Sequence, residues 1–312
     1  MKIVFCGTPE FAVPCLKHFL TLKDFEVAAV FTQPDRPQGR DKEIIFPPVK
    51  QVALAAGIPA HQPEKIHTPE AERLLREIAP EAIAIIAYGQ IIPARLLDIP
   101  RLGWINLHAS LLPKYRGAAP IQWAIANAET KTGVTTMRID AGMDTGEIGL
   151  QEEISIGGEE TTPELAERLS AIGAPLMEKT LRALADGSLK TREQDHSAAT
   201  KAPPLKKQDG WIDWSKTSLE IFNRQRAFTP WPGIYTKFRK QNCQLQVAFP
   251  EERKTDQAGG TLLWDGKELR VACGLGSLLR VLYVKMEGRK QVSAQEFVIG
   301  ARIADGERFG EV

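Results

Sequence analysis

The chain has 312 residues, 43% hydrophobic and 25% charged, with a formal net charge of +1. That is the composition of an average soluble globular protein, long enough for one large or two ordinary domains. Its longest apolar runs, such as residues 82–87, are too short to span a bilayer. The four cysteines (Cys6, Cys15, Cys243, Cys273) have no C-x-x-C spacing and no histidine cluster nearby, which fits a reduced, cytoplasmic, zinc-free protein. The opening M-K-I-V-F-C-G enters a strand at once, and Thr8-Pro9-Glu10 interrupts any signal-peptide core.

Residues 2–6 read as a continuous apolar strand. Gly7-Thr8-Pro9-Glu10 follows, with Thr8 as cap and Pro9 at the first helical position of a helix that runs to Leu20. A second strand is expected at 27–31, then a turn-rich loop that carries Arg36, Arg40 and Lys42. Helix 49–56, strand 58–61, helix 69–78 and the buried strand 82–87 come next. Strand 102–108 precedes helix 119–128, strand 133–139, loop 141–147, strand 148–156 and a long helix at 162–186. Unbroken apolar strands that alternate with helices indicate an α/β fold, with a Rossmann-like, mostly parallel sheet covered on both faces. In open sheets of this kind ligands bind at the carboxyl ends of strands, where Gly7-Thr8, Asn106–His108 and the Asp144 loop are expected to converge.

The pattern changes after residue 189. Residues 190–206 have no clear period and contain Pro203-Pro204, as an interdomain linker would. Short alternating strands at 234–238, 244–249, 268–272 and 278–284, with a closing helix at 293–299, suggest a small antiparallel, OB-like β-barrel. The expected domains are therefore 1–189 and 207–312. Charge is divided unevenly: Met1–Lys206 carries 23 basic and 26 acidic residues, a net −3, and Lys207–Val312 carries 17 and 13, a net +4. A polyanionic partner for the second domain is one reading of that asymmetry, a solvated surface the other.

Gly7-Thr8-Pro9 is no dinucleotide fingerprint, because only one glycine is present where G-x-G-x-x-G needs three, and no P-loop exists. The candidate chemistry lies in G-W-I-N-L-H. Asn106 and His108 are two apart on a strand and share a face, so an amide and an imidazole emerge together. Such a pair can stabilise an oxyanion on a carbonyl under attack, and a carboxylate such as Asp144 would orient the imidazole for proton transfer. No serine or cysteine is placed for a covalent intermediate, which favours direct attack by a substrate amine. Taken singly, each residue also has a structural reading, as a satisfied polar group at a strand end or a loop cap. One His, one Asp and one Asn make a poor metal set. Ser110, Leu111, Leu112 and Pro113, like Tyr88 and the residues to Leu97, are apolar where solvent loops are polar; they read either as a slot for a flat ring or as loop packing. Arg36, Arg40 and Lys42 suit phosphates or solvent, with Asp35, Asp41 and Glu43 among them.

N-L-H-A-S-L-L-P-K-Y-R-G-A-A-P-I-Q-W-A-I, with D-A-G-M-D-T-G-E downstream, closely resembles the folate-dependent formyltransferases, as do F-C-G-T-P-E-F-A and A-Y-G-Q-I-I-P. G-W-I-D-W and R-A-F-T-P-W-P-G-I-Y-T resemble the C-terminal domain of the branch that acts on methionyl-initiator tRNA. The resemblance implies transfer of the formyl group of 10-formyltetrahydrofolate to the α-amine of methionyl-initiator tRNA, by a monomer without metal. It implies that Asn106, His108 and Asp144 are the catalytic trio. It also implies that Tyr88, Gly89, Gln90, Ile91, Ile92, Ser110, Leu111, Leu112 and Pro113 bind the folate, and that Arg36, Arg40 and Lys42 meet the tRNA. A sugar-nucleotide formyltransferase and a non-catalytic tRNA-binding protein are the competing readings.

Overall fold

Unbroken apolar runs build the centre of a first unit that comprises Met1–Pro120, Lys131–Ser155 and Glu164–Pro203. The computed structural model describes residues 1–38, 43–304 and 306–310. Up to Ala185 the chain forms β1 (Lys2–Gly7), α1 (Val13–Thr21), β2 (Glu26–Phe31), a hairpin of β3 (Arg36–Gln38) and β4 (Glu43–Ile45), α2 (Pro48–Ala55), β5 (Ala60–His61), α3 (Pro69–Ile78), β6 (Ala82–Ile86), α4 (Ala94–Leu97), β7 (Trp104–His108), α5 (Pro120–Ala126), β8 (Lys131–Arg138), β9 (Ile148–Ser155) and α6 (Thr162–Ala185). Among the described residues, seven strands join one sheet in the order β5-β2-β1-β6-β7-β8-β9.

The first five strands of that order run parallel. Every residue of β6 and β7 is buried, as expected for strands covered on both faces. Val4, Phe31, Leu75, Ile83, Ile85 and Trp104 pack into one core there. β8 runs antiparallel to β7, and β9 antiparallel to β8. A loop without a crossover helix joins β8 to β9, and so short a connection permits only antiparallel pairing. Thr68 caps α3 by accepting the Ala71 N–H, with Pro69 in the first turn. The first helix does not start as expected at Thr8-Pro9: a 3-10 turn at Glu10–Ala12 precedes α1, which begins at Val13 without a side-chain cap, and the Thr8 hydroxyl is spent on Tyr88 O.

Residues 190–203, expected as part of a linker, pack on the first unit instead. Their backbone groups are bound there: Arg116 N–H donates to Thr200 O at 2.8 Å, Ala202 N–H to Arg116 O at 2.7 Å, and Ala119 N–H to Ala202 O at 3.2 Å. Ile148 and Arg192 exchange backbone bonds of 2.8 and 3.0 Å. A strap held by backbone pairing needs no side-chain period, so its sequence resembles that of a linker.

The second unit comprises Ile121–Thr130, Ile156–Pro163 and Pro204–Val312. It contains α7 (Ser218–Ala227), β10 (Ile234–Phe238), β11 (Gln241–Lys254), β12 (Leu262–Trp264), β13 (Leu269–Ala272), β14 (Ser277–Met286), β15 (Val292–Ser293) and α8 (Ala294–Ala301). Its antiparallel sheet has the order β10-β11-β14-β13-β12, with β15 on β14. Trp214, Ile221, Phe222, Phe238, Leu245, Phe297 and Phe309 fill its core. α7 was not among the elements expected from sequence. Thr217 and Glu220 form a capping box at its start, and its buried Arg226 donates to Gly157 O at 3.0 Å and Glu160 O at 3.1 Å.

Candidate active site

β7 is where the apolar sheet turns polar. Its period of two puts Asn106 and His108 on one face, and both are buried, at 8% and 6% exposure. His108 Nε2 lies 2.8 Å from Tyr115 O. A carbonyl only accepts, so the proton belongs on Nε2 and Nδ1 is left to face elsewhere. It faces the Asp144 carboxylate, with Nδ1 to Oδ2 at 3.7 Å. Asn106 differs: the residue is 8% exposed, its side-chain amide makes no hydrogen bond among the described residues, and its polar atoms are not among the fully buried ones. An amide in a mostly buried side chain that still reaches the surface and is not spent on protein partners is free to donate to a molecule from outside.

Asp144 is held on three sides. Its Oδ2 accepts the Gly117 N–H at 2.8 Å. Its carbonyl and that of Gly146 accept both hydrogens of the Gln194 amide, at 2.9 and 2.7 Å. Thr145 and Gly142 bond to Asp140 and close the loop from within. Asp144 itself has φ +54°, an uncommon conformation for a residue with a side chain. Gly117 has φ +124°, and a Cβ there would stand 2.5 Å from Ala202 O, so only glycine places that N–H under the carboxylate.

The neighbouring loops leave adjacent parallel strands. Ser110, Leu111, Leu112 and Pro113 follow β7. Ser110 Oγ donates to Lys114 O at 2.6 Å. Thr135 Oγ1 donates to Ser110 O at 2.6 Å and accepts the Leu112 N–H at 3.1 Å. Gln151 Nε2 donates to Leu112 O at 2.9 Å. Leu112 is buried, and Leu111 and Pro113 are half-buried. After β6, Thr8 Oγ1 and Gln33 Nε2 both donate to Tyr88 O at 3.0 Å. The Tyr88 ring is buried, and its hydroxyl has no partner among the described residues. Burial, with Cys6 beside it, pushes the phenol far above its ordinary pKa. Gln90 points away from the strand end: it accepts the Ile66 N–H at 2.6 Å and donates to Pro63 O at 3.0 Å. Gly89 turns the chain at φ +85°. Ile92 is buried, whereas Ile91 is 83% exposed.

The side chains of Tyr88, Gln90 and Ile92 therefore fix this loop. What it offers a ligand is Ile91 and backbone. Leu111 and Pro113, in the loop after the adjacent strand, are half-buried.

Arg36 lies on β3 and pairs with Glu64 at 2.8 Å, both side chains exposed. Arg40 and Lys42 lie outside the described residues. No group of three His, Cys, Asp or Glu residues spaced to hold a metal occurs among the described residues. All four thiols are buried, and burial pushes them up, Cys243 and Cys273 to about 12, so none is a ready nucleophile. No helix of the described residues is long and apolar enough to cross a membrane.

Sequence reading missed Gln194, Gly117, Thr135 and Gln151. Thr135 alone had a signal, being a polar residue on the inward face of a strand. Gln194 and Gln151 act through side-chain amides on distant backbone carbonyls and Gly117 through its N–H, and no local pattern marks these contacts.

The model of the formyl transferase family matches residues 1–181, and that of its C-terminal domain residues 204–302. The chain is 49% identical to the methionyl-tRNA formyltransferase of Solibacter usitatus over 311 residues, 100% of this chain and 99% of the relative. It is 48% identical to that of Acidobacterium capsulatum over 311 residues, 99% of this chain and 100% of the relative. A solved sugar 3N-formyl transferase, determined with dTDP and 5-N-formyl-THF, shares the fold at a TM-score of 0.67 and 21% identity, with 93% of this chain and 99% of that one covered.

Proposed function

The chain belongs to the formyl transferase family, and from that premise we propose that it transfers the formyl group of 10-formyltetrahydrofolate to the α-amine of methionyl-initiator tRNA. The observation that carries the site assignment is Asn106, 8% exposed and with an amide that makes no hydrogen bond among the described residues, two residues from an imidazole that faces a carboxylate. The acceptor is supported by relatives at 49% and 48% identity along the whole chain, whereas the sugar-modifying neighbour shares the fold alone.

In this reading the amine nitrogen bonds to the formyl carbon, and the carbonyl electron pair moves to oxygen. The Asn106 amide donates to that oxyanion, in a buried site where such a bond is worth far more than in water. His108 keeps one ring N–H on Tyr115 O. Its Nδ1 edge, when protonated, adds a second donor to the oxyanion. Asp144 orients the ring and takes up the amine proton. Collapse breaks the bond between the formyl carbon and N10, and the proton passes to N10, so the products are the formamide and tetrahydrofolate. Ile91, Leu111 and Pro113 receive the pterin, with Tyr88, Gly89, Gln90, Ile92, Ser110 and Leu112 as its frame.

Arg36, with Arg40 and Lys42, and the C-terminal residues 207–312 hold the tRNA through phosphate contacts that weaken with salt. The protein works as a cytoplasmic monomer, which light scattering at the mass of one chain tests. The experiment for the function is formyl transfer from 10-formyltetrahydrofolate with charged and uncharged initiator tRNA. Product on the charged tRNA alone is expected; tRNA binding with no transfer to the methionyl ester would defeat the reading.

A further inference from the structure

The Asp144 carboxylate is set by a side chain from the far end of the first unit. Gln194 is 6% exposed and lies in the strap, fifty residues from Asp144. All four of its amide's hydrogen-bonding positions are used. The two hydrogens go to Asp144 O at 2.9 Å and Gly146 O at 2.7 Å. The oxygen accepts from Arg116 Nε at 3.1 Å and Nη2 at 2.7 Å.

The two ends of this bridge meet again at the imidazole. Arg116 is flanked by Tyr115, whose carbonyl accepts His108 Nε2, and by Gly117, whose N–H binds Asp144 Oδ2. The segment that fixes one edge of the ring and the loop that presents a carboxylate to the other are thus pinned to each other through one buried amide. Without it, the positive-φ backbone of Asp144 would lose the two bonds that tie Asp144 O and Gly146 O to the strap, and the loop would be left with its Asp140 bonds and the contact of Thr191 Oγ1 with Glu147.

We propose that Gln194 is a positioning residue for formyl transfer, one that sets the Asp144 carboxylate against His108 and touches neither substrate. The inference rests on the reading that Asp144 and His108 serve the reaction.

Two variants and two readouts test it. Gln194→Ala removes the bridge. Gln194→Glu keeps an acceptor for Arg116 and nearly the same volume but loses both donors. The first readout, independent of activity, is hydrogen exchange at the Gly117 amide by NMR. Both variants should speed it at least tenfold while amides of β1 and β6 keep their protection; unchanged Gly117 exchange in a folded variant overturns the proposal whatever the enzyme's substrate. The second is a kinetic cycle. kcat should fall between about 10- and 100-fold, with KM for both substrates nearly unchanged, and Gln194→Ala should add almost nothing in an Asp144→Ala background. Losses that multiply, or a normal kcat beside accelerated Gly117 exchange, would overturn it too. A wild-type protein that does not formylate methionyl-initiator tRNA would strike the functional reading, and the exchange result would still decide the positioning role.

Discussion

Asp144 Oδ2 stands 3.7 Å from His108 Nδ1 although the strand that precedes Asp144 runs against the strand that carries His108. β8 ends at Arg138, opposite Ile105, while His108 is opposite Thr135. The loop after β8 must therefore return along β7 to bring the carboxylate to the imidazole. That return is what Gly117, Gln194 and the Asp140–Thr145 bonds hold in place, and it shapes how the site should respond to substitution.

Asn106→Ala should lower kcat by about 10²- to 10³-fold, the usual loss for one oxyanion donor. Because the amide makes no hydrogen bond among the described residues, stability should change by no more than about 0.5 kcal/mol. Steady-state kinetics beside thermal melts checks this. A large loss of stability would mean that Asn106 is structural.

Asp144→Ala should cost about 10²- to 10⁴-fold in kcat. Asp144→Asn keeps an acceptor for the Gly117 N–H and should retain the loop, yet it removes the charge and should lose nearly as much. If a folded Asp144→Ala enzyme turned over near the normal rate, the roles assigned here would be wrong.

Gly117→Ala combines a forbidding φ with a Cβ 2.5 Å from Ala202 O. We expect a loss of about 2 kcal/mol or more in stability. The surviving folded fraction should also have reduced kcat, since the N–H beneath Asp144 is displaced. Denaturant unfolding of Gly117→Ala against Gly187→Ala separates strain from contact: Gly187 also has positive φ, +77°, but nothing within 4 Å of its Cβ.

Acid should weaken the second unit through Asp265. Its carboxyl is held well below the ordinary range, first by the Glu268 N–H, then by Arg270 and the Lys267 N–H. A group whose pKa is depressed by folding stabilises the native state above its unfolded pKa and loses that contribution as pH falls through the folded value. The Tm gap between wild type and Asp265→Asn should thus be constant near neutral pH and shrink below about pH 4. A gap that grew with acid would reverse the sign.

Much of this was legible beforehand where the signal is local. Unbroken apolar runs marked the buried strands, and the spacing of Asn106 and His108 marked their shared face. The position of Asp144 was expected at a carboxyl strand end; it arrives instead by a loop that reverses, because the direction of β8 depends on pairing partners that local sequence does not name. Residues 190–203 read as a linker because their anchors are backbone pairs and scattered polar side chains such as Gln194, which leave no hydrophobic period. Gln90 read as a ligand contact, yet its amide is spent on Ile66 and Pro63; its environment, not its type, decides that. α7 went unread because its polar face and buried Arg226 hide the helical period.

The most direct test of the central claim is a comparison of acceptors with one enzyme preparation and one labelled donor. With 10-formyltetrahydrofolate at saturation, kcat/KM for methionyl-initiator tRNA should exceed that for an amino-sugar nucleotide by at least about 10³-fold, a gap of roughly 4 kcal/mol in transition-state binding. A comparable or greater kcat/KM for the amino-sugar nucleotide, or label on neither amine, would contradict the account.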